Sequence, residues 1–465
     1  MRVGGWRNGR VSIFKGRHRW LWLLLALALL RGLIYAVVMP PWQAPDETGH
    51  FEYAWLIAHQ GRLPSQDDVS PAFEGELVAS LYEWRYGEFV GRPLPAIMPT
   101  RLEDLPANVF ARNSRTVLSG RFSLAYLWQA LFLLPVRAQD LALQLLMVRF
   151  SSVLLNLGIV WLAFRTFCEM VPARPRVASA MALVVILMPQ HTFINSTAGD
   201  GTLAELMACV VLYCWVLLFR RGARPRLVLA IAFGTMFAVL SKATAFFLVP
   251  LDMGLALWGF FRQHRQPWSR RRFAYLGIGM LAVGIGAWLS SHSALGANTL
   301  KSIQAQMSFP SALLVDSRGM TLDQALLGTH DSFWANFGWM AVPTSSRWYG
   351  ALLLITAVAA VGWLSGSKDE QDAPSWAAIM MGAALLSAFG LFAKAALLSP
   401  GSGYYQYQGR YLFPAMIPFV FLLVGGWQKL LPTRRQNLLF AGVLFLAVFD
   451  AWCVMGYIIP YFYLR

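Results

Sequence analysis

Long apolar runs follow one another along this chain of 465 residues and constrain its fold more than any other feature. A bilayer core of about 30 Å needs roughly 20 apolar residues in a helix, and eleven runs can be read as spans on their length and flanks. Charged residues make up 13% of the chain, against roughly 25% in soluble domains. The eleven predicted spans are residues 20–39, 141–164, 177–194, 202–219, 227–240, 245–261, 273–290, 349–364, 376–398, 411–427 and 438–459. We therefore predict an all-α, polytopic integral membrane protein with about 11 transmembrane helices.

The first predicted span follows a basic segment, residues 1–19, which we assign to the cytoplasm. No small-x-small cleavage motif precedes Pro40, so we interpret this span as a retained signal anchor. The net charge of +16 comes from short Arg clusters between apolar runs. Such clusters set membrane topology, and we expect no nucleic-acid partner. The four cysteines fall in or beside predicted spans and show no metal-ligand spacing.

Residues 121–136 are an ambiguous segment that either spans the membrane or lies at its interface as an amphipathic helix. If this segment is interfacial, every short loop rich in Arg faces the cytoplasm, as the positive-inside rule requires. We therefore predict a cytoplasmic N-terminus and one transmembrane domain, residues 20–465. Its outer face would carry a long first loop with interfacial helices, a second large loop and three turns. These segments are residues 40–139, 291–347, 195–201, 241–244 and 399–410.

The first outer loop opens with the motif PPWQAPDETGHFEYAW, which contains Asp46, Glu47 and His50. Pro45 favours a helix start, and the helix dipole stabilises carboxylates in a first turn. Asp46 and His50 are four residues apart and would share one helical face. The motif indicates either a capped interfacial helix or a catalytic site. A divalent metal is possible here, although three neighbouring donors do not define a metal site.

Two further outer turns carry polar groups. MPQHTFINSTAGDGTLAEL brings His191, Asn195 and Asp200 to the outer end of two spans, where Asp200 is a candidate helix N-cap or a functional carboxylate. LSKATAF puts Lys242 at the outer membrane boundary. This lysine either snorkels to the interface or pairs with an anion.

The last outer turn, SPGSGYYQYQGRYLFPAMIP, contains Tyr407, Gln408 and Arg410. Arg binds phosphate in a bidentate manner, and Gly409 would leave room for a bulky anionic group. The alternative is an aromatic belt with one snorkelling Arg. A weaker outer signal, THDSFWANFGWMAVP, has a composition suited either to sugar stacking or to interface anchoring. Its residues of interest are His330, Asp331, Trp334, Phe337 and Trp339.

Carboxylates from the first loop and cations from two later turns would meet at the outer mouth of the bundle. A carboxylate facing Lys and Arg across an anionic lipid headgroup suits transfer from a lipid phosphate. General-base removal of a proton from an incoming hydroxyl contributes about a hundred- to ten-thousandfold in rate. The cations would stabilise negative charge that grows on the departing phosphate.

The overall pattern resembles the GT-C superfamily of membrane glycosyltransferases, which includes protein O-mannosyltransferases and the aminoarabinose transferase of lipid A. More closely, it resembles a bacterial family of predicted membrane proteins with P-D-E-x-x-H, N-P-D, a Lys turn and Q-G-R-Y. The resemblance covers about residues 20–418. It rests on PPWQAPDETGHFEYAW, NSTAGD, SKATAFFLVPL, SFWANFGWM and YQGRYLFPAMIP. Where relatives have N-P-D, four residues separate Asn195 from Asp200 in this chain.

The resemblance implies a polyprenyl phosphate sugar donor, an inverting single displacement and a cell-envelope glycan, lipid or protein acceptor. It also implies a bacterial inner membrane location with the site on the periplasmic face. Asp46 would be the general base, with Glu47 as its alternative or as a contact to a metal or to the acceptor. Lys242 and Arg410 would hold the donor phosphate, and His50 would contact that phosphate or orient the first-loop helix. Residues on the acceptor side, or supporting it, would be Asp200, Asn195, Tyr407 and Gln408.

Two other functions compete with glycosyl transfer. A transporter or flippase for a lipid-linked glycan would favour charged residues at mid-membrane and broken helices in paired halves. A scaffold in an envelope-polymer complex would need none of the candidate residues beyond stability. The clustering of ionisable groups at one face favours the transferase.

Overall fold

The computed structural model describes residues 7–64, 68–112, 123–222, 224–262, 322–365, 373–398, 408–431 and 437–464. These residues are mainly helical. In the first half of the chain the helices are α1 (Arg7–Val38), α2 (Glu47–Gln60), α3 (Pro71–Glu83), α4 (Tyr86–Phe89), α5 (Leu124–Leu133), α6 (Leu141–Met170), α7 (Pro175–Leu187), α8 (Pro189–Ile194) and α9 (Gly201–Arg221).

The second half continues the helical pattern. Its helices are α10 (Pro225–Ser241), α11 (Leu248–Arg262), α12 (Leu322–Trp334), α13 (Ser346–Ser365), α14 (Ser375–Leu398), α15 (Met416–Leu430), α16 (Asn437–Trp452) and α17 (Ile459–Tyr463). A small antiparallel ribbon pairs β1 (Asn336–Phe337) with β2 (Val342–Pro343). Tight 3₁₀ turns occur at Leu102–Asp104, Leu134–Val136, Ala243–Phe247 and Gly409–Ala415.

Seven helices in the described part of the chain are long and apolar enough to cross a membrane. They lie at Arg19–Val38, Leu141–Met170, Gly201–Arg221, Ser346–Leu364, Ser375–Ala393, Gly409–Leu430 and Asn437–Tyr463. Four shorter apolar helices lie at Leu124–Val136, Pro175–Leu187, Pro225–Ser241 and Ala243–Gly259. The predicted all-α, multi-pass membrane architecture is thus confirmed. The count of eleven spans stays a prediction, and span 273–290 lies outside the described residues.

The length of the helix within the ambiguous segment 121–136 bears on whether that segment can cross the membrane. The structure describes residues 123–136 of it. Helix α5 and the turn Leu134–Val136 together contain 13 residues, which at 1.5 Å per residue extend about 20 Å. A bilayer core is about 30 Å thick. This segment is therefore too short to span as a straight helix, and its interfacial placement stays a prediction.

A proline divides the span predicted at residues 177–194. Met188 has an extended backbone, with φ −74° and ψ 113°, because a residue that precedes proline is disfavoured in the helical region. Helix α7 ends at Leu187, and α8 begins at Pro189. The break turns the chain so that α8 can carry His191 to the candidate site.

Two hydrophobic clusters hold the described residues together. The larger cluster belongs to the helix bundle and includes residues of α1, α6, α7, α9 and α15. The smaller cluster includes Trp42, Phe51, Phe73 and Leu77 of the first-loop segment. It also contains Leu145 and other residues at the start of α6, so the first-loop helices pack on that end of the bundle.

Candidate active site

Asp46 lies immediately before α2 in a left-handed backbone conformation, with φ 62° and ψ 11°. This region is uncommon for residues other than glycine, although Asp tolerates it better than most. The Asp46 side chain does not cap α2. Its Oδ2 atom instead accepts a hydrogen bond from Arg410 Nη2 at 3.1 Å. The backbone conformation therefore directs the carboxylate away from its own helix, and such strain is commonly stored at functional sites.

Arg410 is held by a tight turn that packs on α12. Gly409 N donates to Ser332 Oγ at 2.8 Å, and a Cβ atom at Gly409 would overlap the backbone of Phe333. The expectation that Gly409 leaves room for an anionic group is therefore wrong, because Phe333 fills that space. Buried Arg410 Nε has no partner among the described residues.

Lys242 ends α10 in an extended conformation and donates to Asp200 Oδ1 at 2.5 Å. Asp200 occupies the N-cap position of α9, but its side chain makes no cap hydrogen bond. The ring centroid of Tyr411 lies 5.9 Å from Lys242 Nζ and 5.3 Å from Arg410 Cζ. Both distances allow cation–π attraction, so one aromatic ring links the two cations.

His50 lies between the carboxylates. Its Nδ1 atom is 2.8 Å from the Tyr126 hydroxyl, and its Nε2 atom is 4.0 Å from Asp200 Oδ1. Burial lowers the pKa of His50 below its ordinary value of 6.5, although the charges of Asp200 and Asp46 act in the opposite direction. Burial alone would raise the pKa of Asp200, but Lys242 and other positive charges bring it below 3.8. At neutral pH, His50 is uncharged and Asp200 is ionised.

His50, Asp200, Lys242 and Arg410 line one cleft at the end of the bundle, and Asp46 contacts Arg410 without lining the cleft itself. Its volume is about 480 Å³ with the open space at the mouth included, of which about 30 Å³ can accommodate the centres of water-sized groups. The side chains come from four distant parts of the chain. Its polar lining consists of His50, Asn195, Thr197, Asp200, Thr202, Glu205, Lys242, Thr244 and Arg410.

Glu47 lies outside this cleft and is fully buried. Its carboxylate accepts from Arg149 Nε at 2.9 Å, Arg149 Nη2 at 2.7 Å, Trp42 N at 3.0 Å and Ala198 N at 3.2 Å. Arg149 also donates to the carbonyl oxygens of Ala36, Met39 and Pro40. Glu47 therefore joins the end of α1, the start of α2 and the middle of α6.

Asn195 and His191 contact a carboxylate that the sequence interpretation did not single out. His191 Nε2 lies 2.7 Å from Glu205 Oε1, and Asn195 Nδ2 donates to Glu205 Oε2 at 3.1 Å. All three residues are buried. Asn195 and Glu205 line the cleft, whereas His191 supports them from behind.

Other candidate residues lie apart from the cleft lining. Gln408 is buried, and its carbonyl oxygen accepts from Tyr411 N at 3.1 Å, while Tyr407 lies outside the described residues.

In the stretch THDSFWANFGWMAVP, His330 and Asp331 contact each other. Trp334 and Phe337 are buried in the bundle core, so the sugar-stacking interpretation is wrong for these two. Trp339 packs on Phe110 and donates to Trp42 O at 3.0 Å.

The candidate metal ligands of the first loop face different partners. Asp46 contacts Arg410, Glu47 contacts Arg149, and His50 contacts Tyr126. Across the ranges that the structure describes, no three His, Cys, Asp or Glu side chains come together as a potential metal site. These donors do not fit a divalent ion.

Comparison with protein-family models matches residues 29–418 to the family described as "Predicted membrane protein (DUF2142)". The chain belongs to this family. The matched range contains Asp46, His50, Asp200, Lys242 and Arg410. No curated protein matches the chain in sequence.

Among solved structures, this DUF2142 chain is similar to ArnT from Cupriavidus metallidurans bound to undecaprenyl phosphate. The TM-score is 0.53 at 13% sequence identity, and the match covers 92% of this chain. The chain spans 63% of the length of ArnT. At this identity the similarity shows a shared fold alone.

Sequence reasoning missed two residues of this DUF2142 chain that the structure brings forward. Arg149 is a lone arginine within a predicted span, and ionisable residues inside spans are rarely without a role. Glu205 lies five residues after Asp200, inside the motif MPQHTFINSTAGDGTLAEL. Both Arg149 and Glu205 are ionisable residues inside a predicted apolar span, and that position in the sequence could have identified them.

Proposed function

We propose that this protein is a GT-C-type membrane glycosyltransferase that moves a sugar from a polyprenyl phosphate donor to a cell-envelope acceptor. One observation carries the proposal: Lys242 and Arg410, which are 168 positions apart, line one cleft, and each pairs with a carboxylate. Asp200, the partner of Lys242, also lines the cleft, and Asp46 contacts Arg410 from beside it. The shared fold with ArnT, a protein solved with undecaprenyl phosphate bound, supports the choice of donor.

Lys242 and Arg410 are the proposed phosphate ligands. Each already pairs with a carboxylate, so the donor phosphate would take the place of Asp200 on Lys242 and of Asp46 on Arg410. Arg410 Nε, which has no partner among the described residues, supplies a further donor. A guanidinium that offers two N–H groups in one plane matches the oxygens of a phosphate.

Asp46 is the proposed general base. It would take the proton of the acceptor hydroxyl as that oxygen bonds to the anomeric carbon of the sugar. The bond from that carbon to the phosphate oxygen would break on the opposite side, leaving its electron pair on the phosphate and inverting the configuration. When the phosphate holds Arg410, the Asp46 carboxylate is released from its hydrogen bond with Arg410 and can accept the proton of the acceptor hydroxyl. Glu47 is a poorer candidate because four hydrogen bonds occupy its oxygens.

The proposal also includes a location. The Arg-rich loops between predicted spans favour a cytoplasmic N-terminus under the positive-inside rule. The cleft would then open on the periplasmic face of a bacterial inner membrane, where envelope acceptors lie. The protein would meet its donor within the outer leaflet of that membrane.

The test is transfer by the full chain purified in detergent. A panel of undecaprenyl phosphate sugars is incubated with the protein, and released undecaprenyl phosphate is measured. We expect release with at least one sugar, and a decrease of about 100-fold or more in Asp46→Asn, because a general base contributes on that scale. Asp68→Asn is the matched control, since Asp68 lies in the same loop and pairs with Arg62.

Full activity in Asp46→Asn would remove Asp46 from the mechanism. A wild-type protein that releases nothing in detergent, yet moves a lipid-linked sugar across sealed vesicles, would establish a transporter instead. Equal melting temperatures of wild type and variant show that the loss is chemical and does not come from unfolding.

A further inference from the structure

Glu205 lies deep in the cleft, where the chemistry proposed above leaves it unused. It belongs to the second turn of α9 and lines the cleft beside Asn195 and Thr244. Glu205 is 1% exposed, whereas the side chains of Lys242 and Asp200 are 21% and 17% exposed. The cleft thus has a charged mouth formed by Lys242 and Asp200, and a floor that contains the Glu205 carboxylate.

The Glu205 carboxylate has acceptor capacity to spare. Among the residues that the structure describes, its two oxygens receive one contact each, from His191 Nε2 and from Asn195 Nδ2. A carboxylate has about four acceptor positions, so about half of them are used. Glu47 provides the comparison within this chain, because four donors surround it and it lies outside the cleft.

The residues behind Glu205 hold it in one orientation. His191 lies on α8, where Thr192 accepts a hydrogen bond from Arg31 Nη1 at 2.8 Å. The neighbouring Gln190 side chain accepts from Asn336 N at 2.8 Å. Because α8 is tied on both sides, the two contacts to Glu205 approach from fixed positions. The remaining lone pairs are therefore presented to the cleft in a fixed direction.

A second polar atom at the cleft points to the same kind of ligand. Thr244 Oγ1 is buried and has no hydrogen-bond partner among the described residues. A buried hydroxyl without a partner costs free energy, and a hydroxyl of a ligand can supply the bond. The cleft as a whole has about 30 Å³ for the centres of water-sized groups, which is room for about two such groups. It therefore suits hydroxyl groups that project inward from a ring held at the mouth.

We propose that Glu205, oriented by His191 and Asn195, is the residue that recognises hydroxyl groups of the sugar on the donor lipid. This inference rests on the proposed function and adds a specificity-determining residue to it. A carboxylate repels a phosphate and accepts hydrogen bonds from hydroxyls. Glu205 thus directs the sugar to the floor of the cleft while Lys242 and Arg410 hold the phosphate at its mouth.

The experiment compares two lipids that differ only by the sugar. Binding of undecaprenyl phosphate and of a panel of undecaprenyl phosphate monosaccharides is measured on the full chain in detergent. For the sugar that binds best, we expect Glu205→Gln to weaken affinity about tenfold or more, the scale of a lost hydrogen bond to a charged group. Affinity for undecaprenyl phosphate should change less than about twofold. Arg410→Ala should weaken both lipids.

Asp252→Asn is the matched control, because Asp252 is a carboxylate that hydrogen-bonds Trp215 and Thr235 away from the cleft. It should alter neither affinity. If Glu205→Gln does not fold, Thr244→Val provides the second test, since it removes the cleft hydroxyl with little change in volume. It should weaken the sugar lipid severalfold and spare undecaprenyl phosphate.

The outcomes separate the two proposals. Equal losses for both lipids in Glu205→Gln, or no loss for either, would overturn the recognition role and leave the phosphate site standing. The same holds if no sugar in the panel binds more tightly than undecaprenyl phosphate. A wild-type protein that binds neither lipid would instead overturn the proposed function.

Discussion

At the scale of single residues, two adjacent carboxylates have opposite surroundings. Asp46 has a 29% exposed side chain that contacts Arg410 at the cleft, while Glu47 is enclosed by Arg149 and backbone donors. The left-handed backbone at Asp46 separates the two directions. Asp46 therefore has a proposed chemical role, while the adjacent Glu47 has a structural one.

The lowered pKa of His50 allows a prediction of how the protein's stability depends on pH. This pKa lies below 6.5 because burial outweighs the carboxylates, with Lys242 and Arg410 also opposing the charge of His50. As pH falls below about 6.5, the His50 side chain takes up a proton in the unfolded chain before it does so in the folded protein. The free energy of unfolding therefore decreases as pH falls, until the pH reaches the pKa of His50 in the folded protein. We expect the melting temperature in detergent to fall between pH 7.5 and 5.5, and to fall less in His50→Gln.

His59→Gln is the control for that measurement, since His59 is an exposed histidine of the same helix. An identical pH slope in wild type and His50→Gln would contradict a buried, neutral His50. Asp200 does not contribute within this window, because its pKa lies below 3.8.

At the scale of elements, small residues decide how closely the helices approach. Gly426 of α15 lies so near α13 that a Cβ atom would overlap the carbonyl group of Ala359, and Gly362 meets Gly426 in the same way. Small residues at helix interfaces let backbones pack closely in membranes, where dispersion contacts drive association. The crossing of α13 and α15 helps to place the 3₁₀ turn that carries Arg410, because that turn leads directly into α15.

Gly426→Ala should therefore force α13 and α15 apart. The overlapping atoms belong to the backbone and cannot move aside as a side chain would. We expect a cost of about 1–3 kcal/mol or more, measured as a lower melting temperature in detergent. Gly442→Ala is the matched control, because nothing lies within 4 Å of a Cβ atom there. Equal melting temperatures for the two variants would contradict the close crossing.

At the scale of the whole molecule, a buried ion pair joins the first span to the last. Arg31 of α1 contacts Asp450 of α16 through both carboxylate oxygens, and the Tyr35 hydroxyl donates to Asp450 at 2.8 Å. The pair connects positions that are 419 residues apart. Because Arg31 also binds Thr192, this pair extends to α8 and the back of the cleft.

Asp450→Asn leaves the Arg31 charge buried without compensation. Removing one partner of a buried pair costs about 3–5 kcal/mol, whereas replacing both by apolar residues is often neutral. We expect a large drop in melting temperature for Asp450→Asn and a smaller drop for the double variant Arg31→Met with Asp450→Leu. A drop in the double variant as large as that in Asp450→Asn, or larger, would contradict an uncompensated Arg31 charge as the cause of the loss.

The motifs of the candidate site were visible in the sequence, but their partners were not. Asp46, His50, Asp200, Lys242 and Arg410 carry charge or polarity at the ends of apolar runs, a pattern that hydropathy reveals. The sequence could not predict that Asp46 is partly exposed beside Arg410 while Glu47 is buried against Arg149. Two neighbouring carboxylates in one motif are equivalent in sequence, and the backbone conformation at Asp46 decides which way each side chain points. The space assigned to Gly409 was wrong because Phe333, 76 residues earlier, occupies it.

The sequence by itself determined that this chain is a helical, multi-pass membrane protein, because the hydrophobic effect acts on each apolar run locally. It also placed polar residues at the ends of spans. Only the tertiary structure decided which polar side chains meet: Asp46 with Arg410, Glu47 with Arg149, and Glu205 with His191. Such pairs depend on how helices from distant parts of the chain pack together, and the sequence of a single segment does not determine that packing.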